Sequence, residues 1–271
     1  MSEIKERREK SVDIRTDQLP DSIAIKKPAS DFDQLVSTIR GDADSKVKED
    51  ALHELRNIGA DRESGKSSDA AQAIVDFVRD DTKDSRLKSG VMQDLAYVVW
   101  SGPKDSSTVA ERGLVSFMND EKFDSDTRKA AIRWLGETSS PGATSELIKF
   151  AKNRKIDSDL RDDATTSLAY IGRWGRRSEG RKAVNALVDI MKDVGEDVNL
   201  RKEVIMDVSR IGYHGENEAT SLDAVTGLRE FIGETDNRNL KKIARERLNT
   251  VGEWSRKDDV RARAKESLRL K

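Results

Sequence analysis

Asp124-Ser-Asp-Thr-Arg-Lys-Ala-Ala-Ile-Arg-Trp-Leu-Gly136 decides how this chain is built, because its opening recurs five more times. The phrase is an acidic or amide residue, an apolar or Thr residue three on, then a basic residue. It reads Asp44-Ser-Lys-Val-Lys48, Asp84-Ser-Arg-Leu-Lys88, Asp157-Ser-Asp-Leu-Arg161, Asp197-Val-Asn-Leu-Arg201 and Asn237-Arg-Asn-Leu-Lys241. Successive starts lie 40, 40, 33, 40 and 40 residues apart. A fixed period in this range marks a stack of similar units rather than one closed core.

The residues after each phrase have a helical period. Val47, Ala51, Leu55 and Ile58 lie on one stripe, as do Leu87, Val91, Leu95 and Val98. Leu160, Ala164, Leu168 and Ile171 repeat the pattern, as do the series starting at Leu200 and Leu240. The third unit keeps Ala131 and Leu135 between Thr127 and Thr138. The opening carboxylate suits an N-cap, because it accepts amide protons that the first helical turn leaves without partners. Gly59, Gly172, Gly212 and Gly252 follow the stripe and are expected as C-caps. A second amphipathic helix is expected after each of the first five stripes, for example at Val184, Leu187, Val188 and Met191. An earlier copy at Phe32, Leu35, Val36 and Ile39 precedes the first phrase. Neither helix of a pair buries its stripe alone, so the pairs must stack.

The Asp124–Gly136 stretch resembles the signature of HEAT-like repeats, including the phycobilisome-lyase variety, and the likeness recurs in register from about Ser30 to Trp254. The resemblance implies an all-α fold, a right-handed α-solenoid of about six HEAT-like helical hairpins. It also implies that the phrase Asp and Arg form a hydrogen-bond ladder between units. Asp44, Asp84, Asp124, Asp157 and Asp197 are then structural. For function it leaves scaffolds, adaptors, lyases and DNA-repair enzymes open.

Composition agrees with a thin array. Charged residues make up 37% and hydrophobic ones 35% of 271 residues, and mean hydropathy is -0.74. A solenoid has little core per unit surface, so this polarity is expected. With 50 basic and 51 acidic residues, net charge gives no drive towards nucleic acid or anionic membrane. Cysteine is absent, which excludes disulfides and thiolate metal sites and fits a cytoplasmic protein. Met1–Lys10 has no apolar segment of the secretory kind, and no long apolar run suggests a membrane span.

Three regions are expected: a flexible arm at 1–29 carrying Pro20, Pro28 and a sticky Ile23–Ile25 segment, a solenoid at 30–254, and a capping helix at 255–271. In the cap, Val260, Ala264 and Leu268 restart the stripe only 20 residues after Leu240, as though one helix had been dropped. The 33-residue unit joins its helices through the short Glu137–Gly142 segment. The 40-residue units are expected to carry about seven more residues in that connection, along one edge bearing Trp100, Trp174, Tyr213, His214 and Trp254. The segment Arg173–Lys182 sets five basic residues around Trp174, with Arg176 and Arg177 beside the ring. Such a cluster suits a phosphate or a stacked base. Equally, each aromatic folds back over its own helix end.

No chemistry-bearing motif stands out. His53 and His214 lie in different units without clustered ligands, and there is no phosphate loop or nucleophile elbow. No metal, cofactor or enzymatic activity is expected. The flank of the phrase-bearing helices remains. One row reads Asn57, Tyr97, Glu137, Tyr170, Arg210 and Thr250, and its neighbour Glu54, Asp94, Trp134, Ser167, Asp207 and Arg247. Tyr, Trp and Arg supply most anchors of protein interfaces. Asp94, Tyr97, Trp134, Tyr170, Asp207 and Arg210, with Trp174, Arg176 and Arg177, are therefore the expected partner-binding residues, and Trp134 alternatively fills the seam between units. The expected function is a monomeric scaffold or adaptor for a protein partner, with nucleic-acid binding or chromophore lyase activity as the rivals. Leu168→Ala should cost about 2–5 kcal/mol in a urea melt, the loss for a buried leucine. Tyr170→Ala should cost much less, and equal large losses would mean that Tyr170 is core.

Overall fold

The computed structural model describes residues 31–80 and 85–269. Among them run thirteen helices and no strand. In order they are α1 Phe32–Arg40, α2 Ser45–Ala60, α3 Ser67–Arg79, α4 Ser85–Ser101, α5 Lys104–Asn119, α6 Ser125–Thr138, α7 Pro141–Lys152, α8 Ser158–Trp174, α9 Arg177–Lys192, α10 Val198–His214, α11 Glu218–Glu234, α12 Arg238–Trp254 and α13 Asp258–Arg269. Even-numbered helices, which carry the phrases, pack on one another in sequence from α2 to α12, and odd-numbered ones do the same from α1 to α13. The chain is thus an all-helical repeat array of two parallel rows. The expected arm at 1–29 and the cap at Asp84 lie outside the described residues.

The phrase does two separable jobs. Its first residue closes its own helix: Asp44 accepts from Val47 N at 2.9 Å, Asp124 from Thr127 N at 2.7 Å, Asp157 from Asp159 N at 2.9 Å and Asn237 from Leu240 N at 3.1 Å. The ladder between units is made by the arginines instead. Arg128, Arg161 and Arg201 each donate from Nε to a carbonyl ten residues back, on Met118, Ala151 and Met191, at 3.0, 2.9 and 2.9 Å. Those carbonyls end the preceding odd helix, where the last turn leaves acceptors unfilled and the helix dipole is negative. Arg161 also clamps the buried Glu196 through both nitrogens of its fork, one at 3.0 Å, tying α8 to the segment that leads into α10. The expected Asp–Arg ladder is therefore replaced by an Arg–carbonyl ladder, because the Asp carboxylates already hold amides of their own helices.

Behind the caps lies one continuous core. Leu55, Leu95, Leu135, Leu168, Val208 and Leu248, the same stripe position in six units, are each 0% exposed. The glycines expected as C-caps are inside helices, and no described glycine has positive φ. They thin the seam between neighbours. A Cβ on Gly172 would stand 2.6 Å from Ile211 Cδ1, one on Gly59 3.1 Å from Val98 Cγ2, and one on Gly212 3.1 Å from Val251 Cγ2. Gly59, Gly172 and Gly212 thus each receive the last stripe residue of the next even helix, whereas Gly252 faces Ala264 and Lys265 of α13.

The seven residues that separate the fourth unit from the third are helical, not a loop insertion, whereas in the first unit four of the seven lengthen the α2–α3 link, which spans residues 61–66. α6 and α7 have 14 and 12 residues, whereas α8 and α9 have 17 and 16. The α6–α7 and α8–α9 links each consist of two residues, Ser139–Ser140 and Gly175–Arg176. Each longer helix gains about one turn of 3.6 residues, which leaves the stripe in phase. At the far end, α13 packs on both α11 and α12, with Val260 and Ala264 fully buried. It takes the next place in the odd row, so no helix is skipped. Its stripe had suggested otherwise because it reports the helical face alone, and not the row.

Gly90 lies mid-helix in α4 with nothing within 4 Å of a built Cβ. Gly90→Ala should therefore stabilise by about 0.5–1 kcal/mol through helix propensity. Gly172→Ala should destabilise by roughly 1–3 kcal/mol, since Ile211 must move in a filled seam. Chemical denaturation of both variants tests this opposite sign.

Candidate functional site

Aromatic residues with a polar tip are confined to one row. The chain has three Tyr and four Trp, and all seven are on even-numbered helices: Tyr97 and Trp100 on α4, Trp134 on α6, Tyr170 and Trp174 on α8, Tyr213 on α10 and Trp254 on α12. None of the six Phe is on an even helix. Tyr97, Trp100, Trp174 and Trp254 are 42%, 49%, 42% and 70% exposed. Trp100, Trp174 and Trp254 lie in the final turns of their helices, so the edge expected to carry loop insertions consists of helix ends.

The two predicted rows differ in depth. Asp94 is buried on the inner row, held by Arg56 Nη1 at 3.2 Å and His53 Nδ1 at 3.1 Å. Trp134 is half-buried against the core, with the Arg133 guanidinium 5.4 Å from its ring. Ser167 is buried and donates to Ile132 O at 3.2 Å, and Asp207 is buried with Arg210 Nη1 at 2.8 Å. Burial pushes the Asp207 carboxyl up to about 6 despite Arg210. At Asp94, Ser167 and Asp207 this row is a seam of paired polar groups, while Arg247 Nε is buried without a hydrogen-bond partner. On the outer row Tyr97 is exposed beneath the Arg56 guanidinium at 5.0 Å, and Arg210 is exposed. Tyr170 is half-buried and shares a cavity lining with Glu137. Burial, then the nearby Glu137 carboxylate, raise its phenol above the ordinary range.

The shorter third unit opens a notch. Ser139 ends α6 in the left-handed region at φ 49, a conformation that closes helices. Ser140 then caps α7 through Ala143 N at 3.0 Å, with Pro141 starting that helix. The Ser140 hydroxyl also donates to the Glu111 carboxylate. Flanking α4 and α8 run one turn farther and present Trp100 and Trp174. The resulting cavity of about 390 Å3 is lined by those rings, Val99, Tyr170, Glu137, Arg176 and the floor from Thr138 to Pro141. Of the predicted residues it unites Tyr170, Trp174 and Arg176. Tyr97, Trp134 and Arg210 are not in its lining, and Trp100 and Glu137 complete it. The mismatch in unit length was the signal for Trp100.

The Arg173–Lys182 stretch is no loop: it is the end of α8, the two-residue link and the start of α9. Arg173 lies 5.0 Å from the Trp174 ring, Arg181 pairs with Asp223 at 2.7 Å and Lys182 with Glu179 at 3.1 Å. Arg176 and Arg177 are exposed. Among the described residues no group of three or more metal-ligating side chains occurs, and no helix is long and apolar enough to cross a membrane.

The sequence matches no protein-family model, and no curated protein sequence is detectably similar. Similar solved structures are helical. An engineered protein is 20% identical over 88% of this chain and 95% of its own, with a TM-score of 0.42. A designed armadillo repeat protein in complex with the peptide (KR)4 is 18% identical over 82% and 100%, also at 0.42. The complex of CpcE and CpcF of phycocyanin lyase from Nostoc sp. PCC7120 is 16% identical over 84% and 97%, at 0.34.

Asp207 gives the seam a pH signature. Its folded pKa of about 6 exceeds the ordinary 3.8, so its stabilising contribution is complete below about pH 3.8 and lost as pH rises through about 6. The stability difference between wild type and Asp207→Asn should shift by roughly 1–3 kcal/mol against the wild type across that window. Urea melts at a series of pH values measure it, and a flat difference would contradict the burial argument.

Proposed function

We propose that this chain is a non-enzymatic scaffold or adaptor that presents the outer flank of its even-numbered helices to a protein partner. One observation carries the reading: every Tyr and Trp lies on an even-numbered helix, and so does every strongly exposed aromatic among the described residues. Burial alone would use Phe, as the rest of the core does. Tyr, Trp and Arg combine large contact area with a polar tip and dominate binding hot spots. The rigid repeat array holds them in line without ordering cost at binding.

The nucleic-acid alternative draws less support. Net charge is -1, and three of the five basic residues between Arg173 and Lys182 are engaged with Trp174, Asp223 or Glu179. A photo-crosslinker placed at Tyr97 should join one discrete protein in native lysate, and Arg210→Glu should reduce the yield severalfold. The same crosslinker at the exposed Gln72 on α3 should give background only. Equal capture from both rows, or recovery of nucleic acid alone, would refute the scaffold reading.

A further inference from the structure

The notch over the short third unit has a composition that selects its occupant. Trp100 and Trp174 come from the extended ends of α4 and α8, Tyr170 stands between them in sequence order on α8, and Glu137 supplies a carboxylate from the last turn of α6. Glu137 is half-buried and lines the notch beside Tyr170. Three aromatic residues lining one cavity with a carboxylate favour a cation: the ring quadrupoles and the charge act in the same direction. The volume of about 390 Å3 lies in the range of small-ligand sites and exceeds one side chain, leaving room for flanking backbone.

We infer that this notch is a receptor for an arginine side chain on an extended segment of the protein partner, its guanidinium stacked among Trp100, Tyr170 and Trp174 and paired with Glu137. The inference rests on the scaffold reading for the source of the arginine. Arginine is favoured over lysine because its planar fork stacks on rings and meets a carboxylate with two parallel bonds. The row already uses this contact internally: Arg56 lies 5.0 Å from the Tyr97 ring, Arg133 5.4 Å from Trp134 and Arg173 5.0 Å from Trp174. The one cation in the lining, Arg176, is exposed on the two-residue link. It opposes the incoming charge and so sets a sign that an anionic ligand would reverse.

Full-length protein labelled at its indole nitrogens reports each of the four tryptophans separately. Titration with N-acetyl-arginine amide should move the Trp100 and Trp174 signals saturably and leave Trp134 and Trp254 in place. N-acetyl-citrulline amide, the uncharged analogue, should bind at least about fivefold more weakly. Glu137→Gln, which removes the charge at constant side-chain size, should weaken arginine binding by about fivefold, and Arg176→Ala should tighten it by about twofold. Unmoved Trp134 and Trp254 signals certify that both variants are folded. No shift at Trp100 and Trp174, an equal response to citrulline, or binding of N-acetyl-glutamate amide with the two substitution effects reversed would overturn the inference. Crosslinking at Tyr97 stands independently of this titration, so a scaffold that does not take arginine is distinguishable from a chain that is no scaffold.

Discussion

A helix of 12 to 17 residues with one apolar stripe does not hold together in water on its own. Each helix here depends on the next to cover that stripe. The structure solves this by contact between like positions: Leu135 and Leu168 continue the same buried line, and Gly172 leaves space for Ile211 of the next even helix. The arginine–carbonyl bonds act at the same junctions. A buried guanidinium is costly unless its donors are filled, and the end of the preceding odd helix offers unfilled acceptors. Two groups that would each be destabilising alone are satisfied together, once per junction at Arg128, Arg161 and Arg201.

Much of this was legible in the sequence where the interaction is local. Helix identity follows from stripe periodicity, and the Asp caps follow from a carboxylate standing within three residues of the amides that it accepts. The roles of Gly59, Gly172 and Gly212 were not legible. A glycine near a helix end serves equally as a left-handed stop and as space for a neighbour, and only the position of Val98, Ile211 or Val251 decides. The partner of the phrase arginine is a backbone carbonyl, which every residue possesses, so it leaves no mark in the sequence. Asp94 and Asp207 share the stripe's edge with the core, and their burial depends on how closely the adjacent even helices approach.

The candidate site was half visible. Tyr170, Trp174 and Arg176 were identifiable as residue types without being placeable in one cavity. Counting residues revealed a unit seven short, but a count cannot distinguish a trimmed loop from trimmed helices. Once the shortage is assigned to the ends of α6 and α7, Trp100 and Trp174 become the walls of a gap. Scaffold and site are then one geometric fact, since the aromatic ends exist because their helices are a turn longer than α6.

That turn has a consequence for how such a chain changes over generations. Removing three residues from one helix end and four from the next deletes about one turn from each and preserves every stripe, cap and seam in the stack. A recess can therefore be carved or filled without disturbing the interior. Evolution is left free to move the gap from unit to unit, and the same operation gives an engineer a way to relocate a binding feature along a fixed support.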